Sequence, residues 1–291
     1  MAVHTIAARQ VEVALAAGAE VGEGPLWDQR EQVLLWVDIP RQAVHRFDPA
    51  GGVDTVSDVG QMVGAVALTS GGGLILALQE GFALFHSGQI EMITPIEADD
   101  SRMRMNDGYV DPQGRFWAGT MSIDESTQKG SLYRLDPGGE VTRMLRGIGI
   151  SNGIDWSPDG RTMYFADTTP RTVDAFDFDG ATGRISNRRN LLTFPSGGGS
   201  PDGLIVDAEG CLWVALWGGS AVQRYTPDGQ LVLKVELPVA QVTKPAFGGP
   251  DRSDLYITTA RRGRHDEPHA GDIFVVRGTG FHGQRIHRFP G

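Results

Sequence analysis

The chain has 291 residues, with 40 glycines, 16 prolines and a formal net charge of −10. That charge argues against nucleic acid or an anionic membrane as partner, and no apolar run is long enough to span a bilayer. The single cysteine, Cys211, excludes an intramolecular disulfide, and the opening Met-Ala-Val-His-Thr-Ile lacks the basic and apolar regions of a secretory signal, so a soluble, cytoplasmic protein is expected.

No long apolar pattern of helical period occurs along the chain. Short apolar runs between Gly- and Pro-rich turns predict many short strands instead. One phrase, a turn followed by an apolar strand with a large anchor, returns six times. It reads Val33-Leu34-Leu35-Trp36-Val37, then Gly73-Leu74-Ile75-Leu76-Ala77, then Arg115-Phe116-Trp117-Ala118. It recurs as Thr162-Met163-Tyr164-Phe165-Ala166, Cys211-Leu212-Trp213-Val214-Ala215 and Asp254-Leu255-Tyr256-Ile257-Thr258. The anchors at 36, 75, 117, 164, 213 and 256 stand 39, 42, 47, 49 and 43 residues apart. A propeller blade of four strands takes roughly 40–50 residues.

A second phrase, an alternating strand and a turn, follows each anchor. It is clearest in Val44-His45-Arg46-Phe47-Asp48-Pro49, Leu132-Tyr133-Arg134-Leu135-Asp136-Pro137 and Val222-Gln223-Arg224-Tyr225-Thr226-Pro227. Period-2 alternation bounded by turns is the mark of a half-buried meander. The repeats therefore predict an all-β fold, a six-bladed β-propeller of four-stranded antiparallel blades forming a single domain over 1–291. A β-sandwich of this length would show no regular period. The strand near 11–15 has no unit of its own and is assigned to the last blade, where it would close the ring. Two gaps between phrases are stretched, 121–130 and 261–271, and insertions in repeat folds often fall on the binding face.

About eleven residues before the anchors, five units place a polar residue beside a Gly or Pro: Glu23, Asn106, Asn152, Asp202 and Lys244. The second unit has Val63-Gly64 there. In a radial array, equivalent positions lie on one ring around the axis, so these residues should meet at one mouth of the central channel. Arg104 and Asp107 crowd the same mouth beside Asn106. Taken singly, Asn-Gly and Asp-Gly are common turn dipeptides. Two carboxylates and two amides in register are the oxygen donors that hard cations take, and buried carboxylates without partners are costly.

Several longer motifs resemble the regucalcin/gluconolactonase (SMP-30) family across essentially the whole chain. They include Gly22-Glu23-Gly24-Pro25-Leu26-Trp27, Arg104-Met105-Asn106-Asp107-Gly108 and Ile150-Ser151-Asn152-Gly153-Ile154-Asp155-Trp156. Pro201-Asp202-Gly203, Phe247-Gly248-Gly249 and Tyr256-Ile257-Thr258-Thr259-Ala260-Arg261 belong with them. The resemblance implies a six-bladed propeller that binds one divalent cation on its axis (Ca, Mg, Mn, Zn or Fe(II)) and hydrolyses sugar-acid lactones. By position, Glu23, Asn152 and Asp202 match the metal ligands, and Asp202 also matches the general base. Arg104 and Asn106 match groups that hold substrate or a water at the metal, and Asp124 falls where many relatives place a Glu that touches sugar hydroxyls. Apolar and aromatic residues would line the cleft over the metal, with Trp217 and Phe247 as candidates by position alone. The implied partner is a small sugar lactone, bound by a monomer or small homo-oligomer. Rival readings are hydrolysis of another ester class, such as organophosphates, and a non-catalytic cation-binding propeller.

Other signals carry less. Gly149-Ile150-Ser151-Asn152-Gly153 fits G-x-S-x-G, but residues 154–160 read as strand and turn, whereas a nucleophile elbow needs a helix there. His265-Asp266-Glu267-Pro268-His269 lacks the helical H-E-x-x-H spacing. Gly197-Gly198-Gly199-Ser200 reads as a flexible loop leading to Asp202, and Cys211 as a packed thiol.

Overall fold

The computed structural model describes residues 3–126 and 128–290; Met1, Ala2, Thr127 and Gly291 lie outside the described residues. The strands form six sheets, each with a four-stranded antiparallel core, arranged as a six-bladed β-propeller, as the repeat predicts. The innermost strands are Gly22–Asp28, Val63–Leu68, Met103–Val110, Ser151–Trp156, Ser200–Val206 and Val242–Gly248. Each runs next to the strand carrying an anchor, and Trp36, Trp117, Trp213 and Tyr256 are almost wholly buried between blades. Fully burying one such side chain contributes on the order of 1.5–3 kcal/mol, so the repeated anchors bind blade to blade. The outermost strands keep little of the apolar alternation, and Val53 and Val56 on Val53–Asp58 are exposed.

Both ends of the chain join the ring. Glu12–Leu15 pairs antiparallel with Ile273–Val276 as the outer strand of the sixth blade. His4–Ile6 adds a parallel strand outside Leu231–Glu236, giving the fifth blade five strands. The turns before two of the anchors share one device. Asp111 accepts from the amides of Gln113 and Arg115 and from the Trp117 indole, and Asp207 does the same for Glu209, Cys211 and Trp213. The aspartate thus fixes the turn and the anchor rotamer together.

All six innermost strands break register at the same level. The shifts fall between Glu23 and Leu26, Val63 and Ala65, Met105 and Gly108, Ser151 and Ile154, Pro201 and Leu204, and Val242 and Lys244. A bulge re-aims a side chain without ending the strand. In four blades the break falls at Glu23, Asn106, Asn152 and Asp202, which together line one cavity. Two glycines let the neighbouring strands approach that closely: a Cβ on Gly153 would sit 2.3 Å from the Leu204 amide nitrogen, and one on Gly203 would sit 2.4 Å from the Lys244 side chain.

The opposite mouth of the channel is strapped shut by residues 282–290. The Gln284 side chain donates to the carbonyls of Trp156 and Val206, at 2.8 and 3.2 Å, and Arg288 donates to Asp28 at 2.9 Å. Phe289 makes a parallel bridge to Thr69, and Gly283 an antiparallel bridge to Asp207. Phe247, assigned above to the cleft, belongs to this end: it packs edge-on against Trp213 and under Gly283. The reason is its place past the bulge, at the far end of its strand. No helix of the described residues is long and apolar enough to cross a membrane.

Candidate metal and substrate site

At the open mouth, Glu23, Arg104, Asn106, Asn152 and Asp202 line one cavity of about 90 Å³, with Trp217 on its wall. Strand entry is held from behind at two of these positions. Asp38 accepts from the amides of Glu20 and Val21 just before Glu23, and Asp167 accepts from Gly149 and Ile150 just before Asn152.

The two asparagines are oriented for different tasks. Asn152 donates through Nδ2 to Thr168 Oγ1 at 2.8 Å, and Thr168 in turn donates to the Pro201 carbonyl. That leaves Asn152 Oδ1 as an acceptor on the cavity side, 3.3 Å from Asn106 Nδ2. Asn106 spends Nδ2 mainly on the Ser151 carbonyl at 2.7 Å, while its Oδ1 accepts from Arg104 Nη1 at 2.6 Å. Asn106 is therefore a link between Arg104 and the ring, with its oxygen already engaged.

Glu23 and Asp202 are 4 % and 6 % exposed, and among the described residues neither carboxylate has a cation within ion-pair distance. Among the described residues Glu23 accepts only from the amide of Gly24, at 2.7 Å. Burial, with the charge of Asp107 behind it, pushes the Glu23 carboxyl up to about 8. Burial and then the charge of Glu23 hold the Asp202 carboxyl well above its ordinary range. Lys244 does not reach the ring surface. It lies below it, fully buried and paired with Asp107, so its charge is already matched. Two buried carboxyl groups and one oriented amide oxygen, with no cation of the described residues in ion-pair contact with either carboxyl, are a donor set that fits a hard divalent cation.

A second cluster is excluded by its own bonds. The ligand atoms of Asp207, Glu209 and Cys211 lie within 4.8 Å of one another. Asp207 is already committed to the Arg224 and Trp213 side chains and to two amides, and Glu209 Oε2 is 2.5 Å from Arg224 Nη2. Arg224 occupies the place a cation would take. The Cys211 thiol is buried and pushed up by that burial, as a packed thiol should be.

Asp124 is not brought to the cavity. It is exposed and caps its own loop, accepting from the amide and hydroxyl of Ser126. The next residue, Glu125, lines the cavity instead and lies 3.5 Å from Arg262 of the other stretched loop. The resemblance matches Asp124 to a substrate contact, whereas the loop, whose length the repeat does not fix, places Glu125 on the cavity wall. Arg262 carried no sequence signal beyond its place in that second loop. Ser151 of the G-x-S-x-G stretch is buried on a strand, facing Gly119, and no helix follows it. The Gly197–Ser200 stretch is tied down by Arg171, whose guanidinium donates to Pro195, Gly199 and Ser200.

The family model for the SMP-30/gluconolactonase/LRE-like region matches residues 21–261. Regucalcin of Xenopus laevis is 37% identical over 295 residues, covering 97% of this chain and 99% of the relative. The Bacillus subtilis (strain 168) protein YvrE, whose name assigns it provisionally to the sugar lactone lactonases, is 37% identical over 267 residues, with 89% and 91% covered. Among solved structures, a calcium-binding protein, regucalcin, from Agrobacterium tumefaciens strain C58 has a TM-score of 0.94 at 31% identity, with 99% of each chain covered. The matched region spans all five polar ring positions, and the chain belongs to the SMP-30/gluconolactonase/LRE-like family.

Proposed function

We propose that the protein hydrolyses a sugar-acid lactone, using one divalent cation held by Glu23, Asn152 and Asp202. The observation that carries this reading is the pair of buried carboxyl groups, neither ion-paired to a cation of the described residues, beside an amide oxygen in the lining of one cavity. Family membership, and relatives named as lactonase and as calcium-binding protein, support the reaction class and the ion. When bound, a divalent cation supplies Lewis-acid polarisation of a carbonyl and increases the acidity of water.

The chain's own residues do the rest. Asp202, ionised once its charge is matched, accepts a proton from water as the water adds to the lactone carbonyl carbon. The ring C–O bond then breaks, and that proton passes to the departing ring oxygen, giving a hydroxy acid. Arg104 is held by its bonds to Asn106 and to the Met105 carbonyl, so its remaining donors are positioned without further ordering. The strap at the far mouth leaves the open mouth as the route to the site.

The test is acid release from a panel of pentono- and hexonolactones, using protein stripped with chelator and resupplied with single metals. Activity should vanish with the metal and return with one ion. Asp202→Asn should lower kcat/KM by about a thousandfold or more, since it removes a ligand and the proton acceptor together. Tight metal binding with no turnover of any lactone would overturn the proposal.

A further inference from the structure

The cavity above Glu23 and Asp202 does not end at the ring. A second pocket of about 240 Å³ adjoins it, walled by Val21, Ile39, Pro40, Met62 and Ile123 with Glu20 on its rim. Four residues line both spaces: Val21, Ile39, Arg104 and Arg262. The junction is thus made of two apolar side chains and two guanidinium groups. One guanidinium comes from an inner strand and the other from the stretched loop of the sixth blade.

Arg104 is only 8 % exposed, yet it has no carboxylate within ion-pair distance among the described residues. Its Nη1 is spent on the Met105 carbonyl and Asn106 Oδ1, while Nε and Nη2 donate to no described group. A buried guanidinium with two unspent donors and no carboxylate of the described residues in ion-pair contact is costly, and its planar fork matches a carboxylate. The residues facing it do not supply one. Glu23 and Asp202 are spent once a cation is bound, Glu125 is drawn to Arg262 at 3.5 Å, and Glu20 lies 3.8 Å from His265. Arg262, half exposed, brings a like charge to the same junction, where a hydroxyl could fill a donor but could not offset the charge.

We propose that Arg104 and Arg262 form a carboxylate-binding subsite at this junction, so that the preferred substrates are lactones bearing a second, ionised carboxyl group, such as the monolactones of aldaric acids. This inference rests on the lactonase reading and narrows its substrate class. It gives the two stretched loops distinct electrostatic roles: Arg262 attracts the substrate carboxylate, and Glu125 competes with that carboxylate for Arg262.

The experiment compares glucaro-1,4-lactone with glucono-1,4-lactone, which differ only in oxidation at C6, on metal-loaded full-length protein. The native ratio of kcat/KM should favour the acid by about tenfold or more, through KM. Arg262→Gln should collapse that ratio by about tenfold. Glu125→Gln should raise it, because it frees Arg262. If the two loops were only a structural latch, both variants would shift both substrates alike, and that result overturns the proposal. Turnover of the neutral lactone with equal or poorer turnover of the acid keeps the lactonase reading and sinks this one. If neither lactone turns over, calorimetry with the products decides: glucarate binding native protein more tightly than gluconate, with the difference lost in Arg262→Gln, upholds the subsite, and equal binding overturns it.

Discussion

At the residue scale, the informative contrast is between charges that have partners and charges that lack them. Lys244 occupies the ring slot of the sixth unit, and its sequence position alone gives it the same standing as Glu23 or Asp202. The structure separates them, because Lys244 is long enough to drop below the ring and pair with Asp107. Lys244 also lowers the pKa of both Glu23 and Asp202. Replacing Lys244 by Met should therefore have two effects. The buried Asp107 loses its partner, and urea unfolding should show a loss of about 3–5 kcal/mol. The double variant with Asp107→Asn should cost clearly less than the sum of the single changes, because the orphaned charge is gone. In the single variant, cation binding measured by calorimetry across pH should require a higher pH, since both ligand carboxyls hold their protons more strongly. Stability unchanged by Lys244→Met would contradict the pairing.

At the scale of elements, periodicity makes the blades legible, and the loops and bulges stay hidden. Turn-plus-anchor phrases report burial between blades, which depends on local pattern, so the anchor strands and those after them are readable. The bulge is a backbone event that costs one residue of register, and residue types alone do not reveal it. That is why position in the sequence assigns Phe247 to the cleft although it lies past the bulge at the strapped mouth. Asp124 and Glu125 are hidden for a different reason: they sit in a loop whose length and course the repeat does not fix. The strap itself carries no repeat and so gives no signal. Its contacts predict its worth: deleting 283–290 removes Phe289, 2 % exposed, the partly buried Ile286 and the bonds of Gln284 and Arg288. The loss should be about 3–6 kcal/mol, seen as a lowered thermal midpoint by circular dichroism. Cation affinity at the other mouth should stay within a few-fold, because no ligand touches the strap; a collapse of affinity in folded protein would show that the two mouths are coupled.

For the whole molecule, the ring holds two acidic groups that the fold keeps out of water. The Glu23 carboxyl titrates near 8 in the folded state against an ordinary value of 4.5, and Asp202 is shifted in the same direction. Between those two values the folded protein holds a proton that the unfolded chain has released, so stability falls as pH rises through this window. Protein stripped of metal should accordingly gain thermal stability as pH is lowered from about 8 toward 5. The net charge of −10 contributes a background slope of the same sign, because acidification reduces self-repulsion. The site is isolated by comparison with cation-loaded protein. There the cation takes the place of the protons, so the window should flatten, and the stabilisation gained on loading should be largest near pH 8 and fade toward pH 5. Loading should also release protons, measurable by calorimetry in buffers of different ionisation enthalpy. Asp202→Asn should shrink both the proton release and the difference between the two stability curves. Parallel curves for stripped and loaded protein would mean that the cation binds elsewhere, and the two ring carboxylates would then be a proton store with no part in cation binding.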